Sequence, residues 1–166
     1  MEIKYRIANA DDLDEICSLV AGAVDTMIKQ HIFQWDELYP TREVFQEDIE
    51  KNQLYVGLIE KQIAVIYVLN QEYDEQYENG DWQYKNEVLY IIHRLCVNPI
   101  FQNKGIAQNT LSHIEEELVD RGVHNIRLDV YSENPYALKL YNNFGYKKTG
   151  HADWRKGRFY LMEKHF

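Results

Sequence analysis

The longest uninterrupted apolar run in the chain, Ile63–Leu69, is seven residues long. A membrane-spanning helix needs about 20 such residues, so no segment of this sequence reads as a bilayer span. The run instead suits a strand, 62–70, joined to a second strand-like run, 53–60, by a tight turn at Glu60-Lys61 that lacks the favoured Asn-Gly signal. Other periods flank this pair. Ile3, Tyr5 and Ile7 alternate with Glu2, Lys4 and Arg6, the pattern of a half-buried strand over 2–8. Asn9 and the acidic cluster Asp11, Asp12, Asp14 and Glu15 then suit a helix N-terminus. Leu13, Ile16, Cys17, Val20, Val24 and Met27 follow at helical spacing. Thr41 is placed to cap a second helix, Arg42 to Lys51, after a connection carrying Phe33, Trp35 and Tyr39.

Residues 71–86 are acidic, tyrosine-rich and turn-prone, and a loop of that length within a domain is usually functional or mobile. A long apolar strand is predicted over 87–97, stopped by Asn98-Pro99. A glycine-containing turn, a helix over about 104–121 and a strand over 124–131 come next. A short helix opens at Asn134-Pro135, and two C-terminal strands turn near Lys156-Gly157. This order predicts a mixed α/β fold: one central, mostly antiparallel sheet with helices on both faces. At 166 residues the chain is expected to be one domain with a self-sufficient core.

The charge is uneven. Residues 1–90 carry 19 acidic and 7 basic side chains and residues 91–166 carry 8 and 11, for a net −9. No basic cluster is present and the sequence pI is about 5.1, so a nucleic-acid partner is not expected. No secretory signal opens the chain, which makes a cytoplasmic address the expectation. Cys17 and Cys96 lack a CxxC partner or a histidine-rich neighbour, so neither a disulfide nor a metal site is expected.

The most informative segment runs from Val97 to Ala107: strand, turn, then a helix whose start contains Gly105 and Ala107. Unpaired amides and the helix dipole at such a start bind phosphate oxygens, and small residues let phosphate approach the main chain. GxxxxGK[ST] is absent, and no GxGxxG follows a strand, so neither a nucleotide triphosphatase nor a dinucleotide fold is supported. Downstream, Asn134, Ala137, Leu138 and Tyr141 share one helical face.

With these residues the chain resembles the GNAT superfamily of N-acetyltransferases. The family's Q/R-x-x-G-x-G/A loop is matched by Gln102, Gly105 and Ala107, and the L-x-V before it by Leu95 and Val97. The later N-x-x-A-x-x-x-Y-x-x-x-G-F/Y is matched by Asn134, Ala137, Tyr141, Gly145 and Tyr146. Residue-level matching covers about 87–146. The resemblance implies a division into a mainly acceptor side (1–86), acetyl-CoA motifs (87–146) and C-terminal strands (147–166). It further implies acetyl-CoA as co-substrate, with main-chain groups around Leu95, Cys96 and Val97 on the pantetheine arm. The amides of Gln102, Asn103, Lys104, Gly105, Ile106 and Ala107 would hold the pyrophosphate. Asn134 and Ala137 would lie against the cofactor arm, and Tyr141 would protonate the departing thiolate.

An alkylammonium with a pKa of about 10 must lose a proton before it attacks. His93 is the candidate base: strand alternation puts it on the side of Leu95 and Val97 unless a bulge changes the phase. Some relatives place a glutamate where this chain has Ile91, which cannot serve, and Glu87 is the reserve. Trp35, Tyr39, Tyr73 and Asp74 are candidate acceptor-pocket walls, since carboxylates among aromatics attract cations. Cys96, in an apolar strand without an adjacent base, is expected to be unreactive. The expected activity is direct acetyl transfer to a primary amine of a small molecule or peptide, by a monomer or homodimer without a membrane partner. The alternatives are a catalytically inactive acyl-CoA sensor and a transferase with a hydroxyl acceptor or a longer acyl donor.

Overall fold

The structure is a computed structural model and describes residues 2–166. The elements follow the predicted order: β1 Lys4–Ile7, α1 Leu13–Lys29, α2 Arg42–Glu50, β2 Leu54–Ile59, β3 Gln62–Asn70, β4 Tyr90–Val97, α3 Ile106–Asp120, β5 Asn125–Tyr131, α4 Pro135–Asn143, β6 Lys147–Trp154 and β7 Gly157–His165. The fold is mixed α/β. The strand order is β1-β2-β3-β4-β5-β7-β6; β4 and β5 are parallel, while β1/β2, β2/β3, β5/β7 and β6/β7 are antiparallel. Among the described residues no helix is long and apolar enough to cross a membrane.

The chain forms two compact units: residues up to Leu69 with Arg94–Thr110, and Asn70–His93 with Leu111–Phe166. The boundary cuts β4 between His93 and Arg94 and α3 between Thr110 and Leu111.

In the first unit, Asn9 accepts from Asp11 N and donates its own N–H to Asp12, a reciprocal cap that starts the turn leading into α1. Arg6 locks that Asp12 carboxylate at 2.7 Å. Leu13, Ile16, Leu19, Val20 and Ala23 of α1 and Phe45 of α2 then bury against Leu54, Val56, Ile63, Ile66 and Val68. Ala64 and Val65, on the opposite face of β3, pack with Ile59 and with Ile106 of α3. The run Ile63–Leu69 is therefore covered on both faces, which is why it shows no polar alternation. The Glu60-Lys61 turn has positive φ at both residues, 49° and 70°, the geometry of a two-residue hairpin that matches strand twist without Asn-Gly.

In the second unit, β5, β7 and β6 form a continuous antiparallel ladder beside the first residues of β4. Tyr77, Trp82, Ile91, Ala152 and Leu161 make a buried cluster. The 71–86 segment thus supplies core residues, contrary to its loop-like composition.

Candidate active site

The turn from β4 into α3 is built by Asn98. Its side chain accepts from Ile100 N and donates to Ile63 O, closing a 3-10 turn over Pro99–Phe101. Gln102 N donates to Pro99 O at 3.2 Å, so its amide already has one partner in that turn. Beyond it the amides are bare. The first bond of α3 runs from Asn109 N to Gly105 O at 3.0 Å, and the N–H groups of residues 103–108 donate to no acceptor among the described residues. Gly105 makes this possible: its φ is +74°, which side chains rarely adopt, and the space a Cβ would take is open to 4 Å. Residues 102–105 are exposed. A run of unpartnered N–H groups at a helix start is suited to the oxygens of a diphosphate.

Leu95 and Val97 pack toward Ile59, Ala64, Val65 and Ile106, while Cys96 faces the α1 and α2 side. Burial pushes the Cys96 thiol up to about 12, so it is a protonated, unreactive thiol at neutral pH. The alternation used to place His93 breaks at its neighbour. Arg94 has φ +50° in the middle of β4, a local break in strand geometry that interrupts strict alternation, so parity does not assign His93 to the Leu95 and Val97 side. His93 Nε2 lies 2.8 Å from Asn70 Oδ1 and 2.9 Å from Glu72 O. Asn70 Oδ1 is fixed as the acceptor by Glu72 N at 3.0 Å. Two facing oxygens therefore put the proton of neutral His93 on Nε2. Glu87, the reserve, accepts from Asn125 Nδ2 at 2.8 Å and pairs with His165 at 3.1 Å.

Asn134 caps α4 by accepting from Ala137 N at 3.1 Å, with Pro135 in the first turn. The side-chain oxygen of Asn134 is thus engaged by the helix itself. Tyr141, one face further along, is 8% exposed and meets Tyr146 edge-on with ring centroids 5.6 Å apart. Its hydroxyl takes no hydrogen-bond partner among the described residues. Burial, and then the Asp129 carboxylate, hold its phenol far above the ordinary value. Tyr141 therefore carries its proton throughout the neutral range. Asp129 was not singled out in the sequence, although the alternation Arg127, Asp129, Tyr131 on β5 marks one polar-bearing face. It accepts from Tyr77 OH at 2.7 Å.

The acceptor-wall residues divide. Trp35 is 8% exposed and packs in the α1/α2 core with Phe45 and Leu54, so it offers no ligand surface; an aromatic in a connection filled the core instead. Tyr39 is 39% and Tyr73 51% exposed. Tyr39 OH accepts from Arg94 NH1 at 2.7 Å, and Tyr73 stacks on Tyr77 at 5.8 Å. Asp74 accepts from Gln76 N at 2.8 Å and from Trp154 Nε1 at 3.3 Å. The segment around them is pinned to β6. Gln76 exchanges bonds with Asp153 O and N, Asn79 donates to His151 O, and Asp81 N donates to Thr149 O. Trp82 donates to Tyr77 O, stacks on Tyr77 at 5.7 Å and carries Arg127 over its ring at 4.2 Å. A Cβ on Gly80 would fall 2.4 Å from that indole, so the ring's close approach requires glycine there.

Comparison with known proteins adds the family. The model of the Acetyltransferase (GNAT) family matches residues 20–146. A 55-residue stretch is 34% identical to the ribosomal protein bS18–alanine N-acetyltransferase of Salmonella typhimurium; it covers 33% of this chain and 37% of that protein. A GNAT-family acetyltransferase from Streptococcus agalactiae superposes with a TM-score of 0.87 at 22% identity, covering 99% of this chain and 95% of the other. The PaiA N-acetyltransferase of Thermoplasma acidophilum, solved in complex with coenzyme A, gives 0.73 at 18% identity, with 100% of both chains covered. These last two are likenesses of fold. Taken with the family match over residues 20–146, the unpartnered amides before α3 and the Tyr141 phenol on α4 are features of a member of the GNAT acetyltransferase family.

Proposed function

We propose that this protein transfers the acetyl group of acetyl-CoA directly to a primary amine of a small molecule or peptide. The observation that carries this reading is the run of unpartnered N–H groups at residues 103–108, with Gly105 at φ +74°. In this reading Asn103, Lys104, Gly105, Ile106 and Ala107 hold the diphosphate, main-chain groups of Leu95, Cys96 and Val97 hold the pantetheine arm, and Asn134 and Ala137 lie along it. Acetyl-CoA supplies an activated thioester. The amine nitrogen forms its bond to the carbonyl carbon, the C–S bond breaks, and the electron pair stays on sulfur. Tyr141 donates its phenolic proton to that thiolate, the general-acid role suited to a phenol held fully protonated.

The ammonium proton leaves through His93, directly or by a water. Glu87 is the reserve. Tyr39, Tyr73 and Asp74 are the acceptor-side residues. The name of the Salmonella relative favours a protein or peptide N-terminus among the acceptors.

Calorimetry with acetyl-CoA combined with a thiol-release assay over an amine panel tests the reading. Micromolar binding and amine-dependent CoA release are expected. Tyr141→Phe is expected to lower kcat about 10²-fold with little change in the KM for acetyl-CoA. Binding without CoA release from any amine would instead establish the acyl-CoA sensor.

A further inference from the structure

The residue that breaks the alternation of β4 is also tethered by three side-chain hydrogen bonds. Arg94 adopts φ +50°, a conformation that costs any residue with a Cβ. Its guanidinium donates Nε to Asp48 Oδ2 at 3.0 Å and NH2 to Asp48 Oδ1 at 2.7 Å, a bidentate fork onto α2. A third donor, NH1, reaches Tyr39 OH at 2.7 Å in the segment between α1 and α2. The side chains of Arg94 and Asp48 are 14% and 8% exposed. An apolar pair would fill that space at no loss of stability in many folds, so a buried ion pair here argues for geometry. The reaction proposed above uses neither Arg94 nor Asp48.

We infer that Arg94 is a positioning residue, which fixes the break in β4 and presents the Tyr39 phenol to the acceptor amine. This rests on the acetyltransferase reading. The hydroxyl oxygen of Tyr39 accepts from Arg94, so its own proton points elsewhere, and no acceptor for it exists among the described residues. A planar fork with three engaged donors sets that direction; a lysine in its place supplies a single mobile ammonium.

The test compares wild type, Arg94→Lys, Asp48→Asn, Tyr39→Phe and the Arg94→Lys/Tyr39→Phe double variant, using steady-state CoA release and hydrogen exchange of amides 36–39. Loss of one directed hydrogen bond predicts an amine KM raised about 3–10-fold in Tyr39→Phe, with acetyl-CoA affinity unchanged. Arg94→Lys is expected to raise amine KM by at least as much and to speed exchange at 36–39. The double variant is expected to show no further rise, because Arg94 acts through Tyr39. Asp48→Asn keeps the size of the side chain but can accept only one of the two Arg94 donors, and it is expected to fall between wild type and Arg94→Lys. Should Arg94→Lys fail to fold, Asp48→Asn carries the same comparison.

A purely structural tether would lower Tm yet leave amine KM unchanged, and that result overturns the inference. Additive KM effects in the double variant overturn it too. Wild type that releases no CoA with any amine overturns the acetyltransferase reading and this inference together, whereas active wild type with an unaltered Tyr39→Phe overturns only the inference.

Discussion

Residues 103–108 and residues 71–86 are both turn-rich and exposed in composition, yet they treat their polar groups in opposite ways. In the first stretch six successive amides have no partner among the described residues. In the second, Asp74, Gln76, Asn79, Asp81 and Trp82 are all engaged with main-chain or side-chain groups. Unpaired donors are costly unless water or a ligand satisfies them. The contrast therefore separates a stretch whose amides remain open to water or a ligand from one that buttresses the sheet, although both look like loops in the sequence.

Trp82→Ala is the largest expected perturbation and breaks the comparison if the assignment is reversed. Removing a buried indole that stacks on Tyr77 and sits under Arg127 should cost about 3–5 kcal/mol of unfolding free energy, measured by urea titration. Acetyl-CoA affinity of the remaining folded protein should stay within about two-fold, because that residue touches no expected ligand group. Weaker binding at unchanged stability would make 71–86 the ligand stretch.

Gly105→Val addresses the other side. A β-branched residue at φ +74° costs about 1–2 kcal/mol, and acetyl-CoA affinity should fall by about ten-fold or more in calorimetry as the amides rotate out of line. An unchanged affinity would remove these amides from the binding site.

Tyr146 sharpens the contrast with a third kind of group, a buried hydroxyl with no hydrogen-bond partner among the described residues. Tyr146→Phe should raise stability at pH 7 by up to about 1 kcal/mol and leave kcat unchanged. A lowered kcat would show that this orphan donor serves the reaction. The same variant bears on alkaline stability. Burial holds the phenols of Tyr77, Tyr141 and Tyr146 above their ordinary value. The folded state thus keeps protons that the unfolded chain releases above a pH of about 10. Stability is complete below that pH and declines as pH rises beyond it, and Tyr146→Phe should make the decline shallower.

The element order was legible throughout, because the period-two and helical patterns are long enough to survive context. The turn into α3 was legible for a different reason: a tight strand-to-helix turn favours a residue tolerant of positive φ, and Gly105 supplies it at +74°. Asn9, Thr41 and Asn134 were readable at helix starts because their side-chain oxygens accept an N–H: Asn9 accepts from Asp11 in the 3-10 turn before α1, Thr41 from Val44 and Asn134 from Ala137.

The break at Arg94 has no such signature, since a positive φ at arginine is imposed by the Asp48 and Tyr39 tethers 46 and 55 residues away. That break interrupts the alternation on which the placement of His93 depends. The burial of Trp35 and Tyr77 has no such signature either. Each is an aromatic in a stretch without periodicity, and only tertiary packing decides whether such a ring faces solvent or core.

The hydrogen bonds from residues 76–81 to Thr149, His151 and Asp153 also have a consequence for colloidal behaviour. A terminal strand with bare main-chain groups is a template onto which a foreign strand can add. At β6 those groups are already occupied by the chain's own 76–81 segment. Cross-β growth is barred at that rim, and at the other end of the strand order β1 is only four residues long and carries Lys4 and Arg6 as charged gatekeepers.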